Sequence, residues 1–384
     1  MRPTASRSCA VRRAGLAIGC IAALAACALT PASVAAQPAS ASASAPAMPS
    51  DRSVQPDRPA SQRTAAQSTT ASVGTDPGGA EAPLEPWWEF RADFGGEFNA
   101  SPHGVVDIGV RKGPFTAQLL TDTLDVRYAP GYESWRWWAG ARVEAYTAGL
   151  LPSPWSDGAP APQQALAASY IGLDGGLITY LPHGFYVGGQ ASARGYTFSQ
   201  LDKTTVPIPE DTLVATPEVL LGFWSPGVEA QARAGADVRQ GHVAPRASGE
   251  IALRPAWQVA PFLEARGGWA RRQDFLTRTR LGGLNPYVVP LAGAGWAEFY
   301  VQNYGAVRAG PSVAGEYGEL AVFADAVVFD ERSRPLYGFG GRVRFQSDAL
   351  FLDTAAGWSP NLPRTGGHAP VTVWVVAGLD WVPY

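Results

Sequence analysis

The thirteen residues from Val228 to Gln240 alternate between apolar and polar side chains without a break. Because a β-strand sends successive side chains to opposite faces, this segment has one apolar face and one face of charges and amides. The alternation recurs in 135–146, 185–194, 263–269 and 339–346, and less regularly in 371–382. Its recurrence along an exported chain favours an all-β fold, a transmembrane antiparallel β-barrel with an apolar outside and a polar lumen. A secreted soluble β-sandwich or propeller is the alternative, but such folds rarely place Trp and Ala opposite so much charge.

Residues 1–36 have the features of a signal peptide. Four arginines precede an apolar stretch at Ala14–Leu29, and Val34–Ala36 is a small-residue cleavage site. A second interpretation stays open, because Leu24–Cys27 resembles the lipobox of bacterial lipoproteins, in which the cysteine is acylated. Cys27 is therefore a candidate lipidation site. A retained helical anchor is disfavoured, because the apolar run is shorter than the ~20 residues that a spanning helix needs.

Residues 37–86 are dominated by Ala, Ser, Pro, Thr and Gln, a composition that predicts a disordered linker. A ligand for a periplasmic partner or the cell wall is the alternative. All three cysteines (Cys9, Cys20 and Cys27) precede this segment. The exported part therefore has no disulfide, thiol nucleophile or cysteine-based metal site.

The barrel is predicted to occupy residues 87–384, which contain no continuous apolar run long enough for a spanning helix. An even number of strands is expected, and we predict fourteen, with twelve or sixteen as alternatives. Tight turns are predicted at Ser225–Pro226 and Ser347–Asp348. Longer connections are predicted at 148–165, 199–212, 240–245, 273–293, 330–336 and 359–370. Short and long connections alternate from residue 166 onwards if 294–313 is one strand, but not in the segments 87–96, 104–112, 115–128 and 134–147.

The inward positions of these strands carry charges of both signs, and they are the candidate functional residues. The predicted set is Arg136, Arg142, Glu144, Glu229, Arg233, Asp237, Arg239, Glu250, Glu264, Arg266, Asp325, Arg342, Arg344 and Asp353. They would form either a constriction that selects solutes by sign or an ion-paired filling of a narrow lumen. Because the signs nearly balance, filling is favoured. The net charge of −3 gives no reason to expect a nucleic-acid partner.

Three short motifs carry a family resemblance. Leu281-Gly282-Gly283-Leu284-Asn285-Pro286-Tyr287 lies in a long connection, and Gly338–Arg342 is followed by Leu352-Asp353-Thr354-Ala355. The final hundred residues resemble the C-terminal part of an Omp85-superfamily barrel, a family that inserts or translocates proteins and lipids at outer membranes. The resemblance implies that residues 281–287 form a loop folded back into the lumen.

The chain departs from the family pattern at two points. The arginine at the tip of the family's loop, which pairs with an acidic lumen residue, falls on Asn285, and the following glycine falls on Pro286. The arginine lock is therefore expected to be absent. The periplasmic POTRA domains are also expected to be missing, since only the linker precedes the barrel. Together these departures imply a reduced, barrel-only relative.

An enzyme is disfavoured. The four histidines (His103, His183, His242 and His368) are not in His-x-Ser pairs, and no metal-ligand spacing or phosphate loop is present. No catalytic residue, cofactor or metal is therefore predicted. The sequence favours a non-enzymatic barrel of the bacterial outer membrane, in transport or envelope biogenesis. The expected partners are outer-membrane lipids, the barrel assembly machinery, and unfolded barrel or lipid clients. A porin-like passive channel and an outer-membrane hydrolase are the alternatives.

Overall fold

The computed structural model describes most of the predicted barrel region. The described residues are 89–99, 102–121, 123–130, 135–145, 155–156, 158–161, 166–199, 207–273, 276–285, 288–347, 349–365 and 367–381. The predicted signal peptide (1–36) with Cys27, the predicted linker (37–86), and Pro286 and Tyr287 all lie outside this set. Within the described ranges, no helix is long and apolar enough to cross a membrane.

The described chain forms strands almost throughout. They are β1 (Glu89–Phe98), β2 (His103–Lys112), β3 (Phe115–Leu120), β4 (Thr123–Tyr128), β5 (Trp135–Ala145), β6 (Trp155–Ser156), β7 (Ala159–Pro160), β8 (Ala167–Tyr180), β9 (Phe185–Ser199), β10 (Thr212–Ser225), β11 (Val228–Arg239), β12 (His242–Leu253), β13 (Val259–Ala270), β14 (Thr279–Leu281), β15 (Phe299–Val301), β16 (Tyr304–Gly315), β17 (Gly318–Phe329), β18 (Leu336–Gln346), β19 (Leu350–Trp358) and β20 (Val371–Trp381). A single 3₁₀ turn is described, at Pro182–Gly184.

Sixteen of these strands close into one antiparallel barrel, in which sequence neighbours pair all the way round. The barrel closes where β1 pairs with β20, from Phe90 opposite Trp381 to Phe98 opposite Val373. We call this pairing the seam. The remaining strands form two short hairpins, β6–β7 and β14–β15, which lie in the connections after β5 and β13. A closed barrel leaves no unpaired edge, which is the condition for a sheet to span a bilayer.

The strand number is sixteen, two more than the preferred prediction and within its range. The segment 115–128 is two six-residue strands rather than one, because the chain reverses at Thr121, where φ is +50°. The predicted strand 294–313 is also wrong. Only Tyr304–Gly315 enters the barrel wall, while Phe299–Val301 pairs with Thr279–Leu281 inside the preceding loop. The alternation of short and long connections is still not regular in the N-terminal part, because 121–122 at one end has two residues and 129–134 at the other end has six.

The two ends of the barrel differ in their connections. One end, the short-turn end, has connections at 113–114, 129–134, 181–184, 226–227, 254–258, 316–317 and 347–349. The other, the long-loop end, carries the long connections 146–166, 200–211, 271–303 and 359–370. The longer connection predicted at 240–245 is wrong, because Gln240–Gly241 alone joins β11 to β12, with the φ of +69° that glycine permits. The tight turn predicted at Ser225–Pro226 lies one residue later, at Pro226–Gly227.

The alternation of faces agrees with the sequence pattern. On β11, Ala232, Ala234 and Val238 are exposed on the outer surface, whereas Asp237 is buried inside. On β5, Trp135 and Val143 are exposed and Trp138 is buried. This arrangement is the reverse of a soluble sandwich, whose buried face is apolar.

The outer surface is suited to lipid along the whole wall. Outward positions of the described strands carry no Asp, Glu or Arg, and their one lysine, Lys112, ends β2 beside a turn. Exposed aromatic side chains flank the band near both ends: Phe115, Trp135, Phe185 and Tyr317 near the short-turn end, and Phe98, Trp269, Tyr337 and Trp358 near the long-loop end. An apolar band between aromatic girdles is the surface of a transmembrane barrel.

Candidate functional site

The connection between β13 and β16, residues 271–303, folds into the barrel, and we call it the lumen loop. Leu281, Leu291, Ala292, Ala294 and Val301 in this loop are fully buried. The predicted loop 281–287 is part of it, as far as Asn285. The lumen loop packs mainly against the wall from β16 to β18, where its apolar side chains join Ala306, Val327, Phe329 and Leu336 in one cluster.

The first polar anchor of the lumen loop is Glu97, near the long-loop end of β1. Its Oε2 accepts hydrogen bonds from the backbone amides of Leu284 (2.8 Å) and Asn285 (2.9 Å). Its other oxygen accepts from Asn99 Nδ2 at 2.9 Å. Gly283 makes this approach possible, because its φ is +94° and a Cβ there would lie 2.5 Å from the carboxylate.

The second anchor is Asp325 on β17. Its Oδ2 accepts the backbone amide of Ala292 at 2.8 Å. Arg308 on β16 binds both oxygens of the same carboxylate, at 2.7 and 2.8 Å, and its guanidinium lies 4.0 Å from the ring centre of Phe323. The buried Asp325 thus connects two wall strands and the loop, with its charge balanced by a bidentate arginine.

The third anchor lies towards the long-loop end and the seam. Glu298 accepts the amide of Gly295 and forms a bidentate ion pair with Arg364, at 2.6 and 2.7 Å, from the connection before β20. On β20 itself, Thr372 Oγ1 donates to the carbonyl of Ala294 at 2.5 Å. Since Glu97 lies on β1, the loop is hydrogen-bonded to both strands of the seam. Beside this anchor, burial raises the pKa of the Tyr300 phenol, which keeps it protonated.

The lumen loop also contacts the far side of the wall. Leu276 packs on a cluster of β8, β9 and β10 that includes Tyr170, Tyr196 and Val214. Gln273 donates to Asp237 on β11 at 3.2 Å. The loop therefore reaches from the seam to the opposite wall, as a plug does.

An apolar core inside the lumen was missed by the sequence reasoning. Leu284 and Ala292 of the loop pack with Val105 (β2), Phe262 (β13), Phe323 (β17) and Trp374 (β20). The missed signal is present in the sequence, since these wall residues are large apolar side chains at inward positions. Large apolar side chains are not expected on a wall that faces a water-filled channel. They are expected where the apolar side chains of a lumen loop pack against that wall.

The predicted lumen charges lie on the inner wall, and most are brought together in pairs. Arg142 binds Asp125 (2.8 Å), Arg342 and Arg344 flank Asp353, Arg254 binds Glu264, and Arg266 lies 3.9 Å from Glu250. Asp237 lies 3.5 Å from Arg246, and Arg233 donates to Gln231 at 2.8 Å. The Tyr170 hydroxyl hydrogen-bonds Glu144. Arg136 on β5 and Glu229 and Arg239 on β11 occupy inward positions.

Several members of the charge network were missed. They are Asp125 and Arg127 on β4, Asp174 on β8, Glu218 on β10, Arg246 on β12 and Arg308 on β16. Strand alternation would have found β4 if 115–128 had been divided. The pairing of each charge with its neighbouring strand required the register, which the sequence did not supply.

The four histidines lie in different parts of the structure and contact different residues. His103 stacks on Trp296 of the lumen loop, with ring centres 3.9 Å apart, and His183 lies in the 3₁₀ turn. His242 contacts the carbonyl of Arg272, and the backbone amide of His368 donates to Thr365. Among the described residues, no group of three or more His, Cys, Asp or Glu side chains is arranged to hold a metal ion.

Comparison with known proteins gives a likeness of fold. No family model matches the chain, and no curated protein matches it. The barrel is similar to BamA from Haemophilus ducreyi lacking POTRA domains 1-3 (TM-score 0.57, 10% identity, covering 77% of this chain and 70% of that one). It is similar also to CdiB from Acinetobacter baumannii (0.53, 13%, 77% and 60%) and CdiB from Escherichia coli (0.54, 11%, 78% and 64%).

The similarity to the BamA and CdiB barrels is one of fold. The family resemblance predicted from the sequence motifs is confirmed to that extent. The chain spans between 60% and 70% of the length of these three structures. At Asn285, where the sequence resemblance places the loop arginine, the backbone amide donates to Glu97, and the buried wall residue Asp325 is paired with Arg308 from the wall.

Proposed function

We propose that this protein is a non-enzymatic outer-membrane barrel that acts in transport or envelope biogenesis, with the lumen loop as its movable closure. The observation that carries the proposal is the attachment of one loop to the lumen wall by Glu97, Asp325 and Glu298. Because the chain spans only 60% to 70% of the length of its structural neighbours, their similarity supports a general class of function.

The outer-membrane location is supported by the wall. Its outward positions are apolar or small, its aromatic girdles lie at both ends, and its long loops lie at one end only. In bacterial barrels the long loops face outside and the short turns face the periplasm. We therefore orient the long-loop end towards the cell exterior, with outer-membrane lipids around the wall.

A gated role is favoured over a passive pore by the way the lumen is filled. The lumen loop contacts both the seam and the opposite wall, so it lies across the path of a solute through the lumen. Several of its polar attachments are made to its backbone, at Leu284, Asn285, Ala292 and Ala294. In this proposal the loop leaves the wall when Glu97, Asp325 and Glu298 lose their partners. Such a closure suits the passage or insertion of unfolded barrel or lipid clients.

Depletion of the protein tests the biogenesis role. We expect the levels of other outer-membrane barrels, or of a surface lipid, to fall while the inner membrane proteome is unchanged. A Glu97→Ala variant should complement poorly, and Glu316→Ala, in an exposed turn, should complement fully. Full growth and an unchanged outer membrane after depletion would contradict the proposal. Steady ion flow through the wild-type protein would instead favour a porin, and lipid or peptide cleavage by the purified barrel would favour a hydrolase.

A further inference from the structure

Arg271 continues the outward-facing register of β13 beyond the end of that strand. The outward residues of β13 are Val259, Pro261, Leu263, Ala265, Gly267 and Trp269, and the next position in this register is Arg271. Its backbone amide donates to the carbonyl of Pro245 on β12 at 3.0 Å, so the ladder continues to this residue. Arg271 is exposed, directly above the exposed Trp269. It therefore occupies the lipid-facing side at the rim of the long-loop end.

Its neighbour Arg272 is held in a strained turn. The φ of Arg272 is +62°, an uncommon conformation for a residue with a side chain. The ring of His242 contacts its carbonyl oxygen at 2.7 Å, and the next amide, that of Gln273, donates to Gln302 at 3.2 Å. Gln273 itself reaches inward to Asp237. The chain thus crosses the rim at Arg272, and the bonds on both sides of this residue fix the turn.

These two guanidinium groups differ from the arginines of the lumen. Inside the barrel, arginines such as Arg308 and Arg342 are paired with buried carboxylates. Arg271 and Arg272 are both exposed, and among the described residues neither forms an ion pair. The guanidinium groups of these two consecutive residues offer ten N–H donors, and the planar fork of each guanidinium suits phosphate oxygens.

The surroundings point to the kind of molecule that carries the phosphate. The neighbouring outward side chains are apolar: Trp269 on β13, Val243 on β12 and Val238 on β11, all exposed. A free phosphate ion gains nothing from such neighbours, whereas a lipid places its acyl chains on them and its headgroup at the arginines. We propose that Arg271 and Arg272 bind the phosphate of an outer-leaflet lipid headgroup. This inference rests on the orientation adopted under the proposed function, with the long-loop end at the cell surface.

Native mass spectrometry of the purified full-length barrel tests the site with bisphosphorylated lipid A as the probe. We expect the R271S/R272S variant to bind this lipid about 10-fold to 100-fold more weakly than the wild type, because charge-assisted hydrogen bonds are lost. The matched control is Arg334→Ser, which removes an exposed arginine from another rim connection. It should leave binding unchanged. Lipid A without phosphate should bind the wild type weakly.

Three results would overturn the assignment. Equal binding by the wild type and the double variant would show that the two arginines do not bind the lipid. Equal binding of lipid A with and without phosphate would show that the lipid is held by apolar contacts only. Full competition by inorganic phosphate at a matched concentration would indicate a free-phosphate site. Because the assay uses purified barrel whose folding is checked by heat-dependent migration, loss of the transport or biogenesis role would leave its result unchanged.

Discussion

Glu97 accepts a hydrogen bond from the backbone amide of Leu284, although 187 residues of sequence separate them. The bond joins the first barrel strand to the tip of the lumen loop. The same loop reaches the last strand through Thr372. The seam is the one pairing of the sixteen-stranded ring that no direct connection enforces, since it brings together the two ends of the barrel sequence. Seating of the loop therefore supports closure of the barrel as well as closure of the lumen.

Removal of the Glu97 carboxylate should loosen the lumen loop. Glu97→Ala leaves two buried amides without an acceptor, which costs about 1–3 kcal/mol for each unsatisfied group. We expect faster tryptic cleavage after Arg278 or Arg280 in the folded barrel, measured by mass spectrometry of limited digests. Glu316→Ala, in the exposed turn 316–317, should give the wild-type digestion rate. An unchanged digestion rate in Glu97→Ala would show that this anchor does not hold the loop.

Gly283 should not tolerate a side chain. Gly283→Ala places a Cβ against the Glu97 carboxylate and at a φ of +94°. Gly367→Ala is the matched control, because its φ is +77° and its Cβ meets nothing within 4 Å. Gly367→Ala thus carries backbone strain alone, about 1–2 kcal/mol. Urea unfolding should show a larger loss for Gly283→Ala than for Gly367→Ala, and equal losses would mean that the contact with Glu97 is loose.

The Asp325–Arg308 pair should behave as a buried ion pair. Asp325→Ala leaves the Arg308 charge uncompensated, and we expect a loss of about 3–5 kcal/mol in the free energy of unfolding. The double variant R308M/D325L should recover part of this loss. Recovery should be incomplete, because the amide of Ala292 still lacks its acceptor. Full recovery in urea unfolding would indicate that this amide is unimportant for stability.

An arginine on the outer wall should be costly in proportion to its depth. Val219→Arg, at an exposed outward position in the interior of β10, should destabilise the folded barrel in lipid vesicles by about 2–4 kcal/mol. Gln240→Arg, in the turn at the long-loop end, should cost about 0–1 kcal/mol. Both values come from urea unfolding in vesicles. A small loss at Val219 would contradict the lipid-facing assignment of this wall.

The fold was largely predictable from the sequence because strand alternation is a local signal. Trp135 and Trp138 were assigned to opposite faces correctly, since only neighbouring side chains matter for that assignment. The turn at Thr121 was missed because threonine is a good strand former and no glycine marks the reversal in 115–128. The sequence predicts a longer connection than the two-residue turn at Gln240–Gly241, because polar residues continue on both sides of it.

The site was less predictable because it depends on contacts that are distant in sequence. The Leu281–Tyr287 motif indicated a loop that folds inward, and the described part of that loop does so. The carboxylates that bind the loop could not be identified from a sequence motif. Glu97 and Asp325 are single carboxylates in ordinary strands, and their role depends on where the amides of Leu284 and Ala292 lie in three dimensions. Phe262 and Phe323 were also missed, although as large apolar residues at inward positions they leave a signal in the sequence.

Conductance of the purified barrel in planar bilayers tests most directly whether the lumen loop closes the lumen. The wild type, Glu97→Ala, and a variant with residues 274–298 replaced by a short Gly-Ser connector should be compared at the same voltage. We expect a closed wild type, transient openings in Glu97→Ala, and a large steady conductance without the loop. Equal, steady conductance of the wild type and the loop-deleted variant would contradict a lumen closed by this loop.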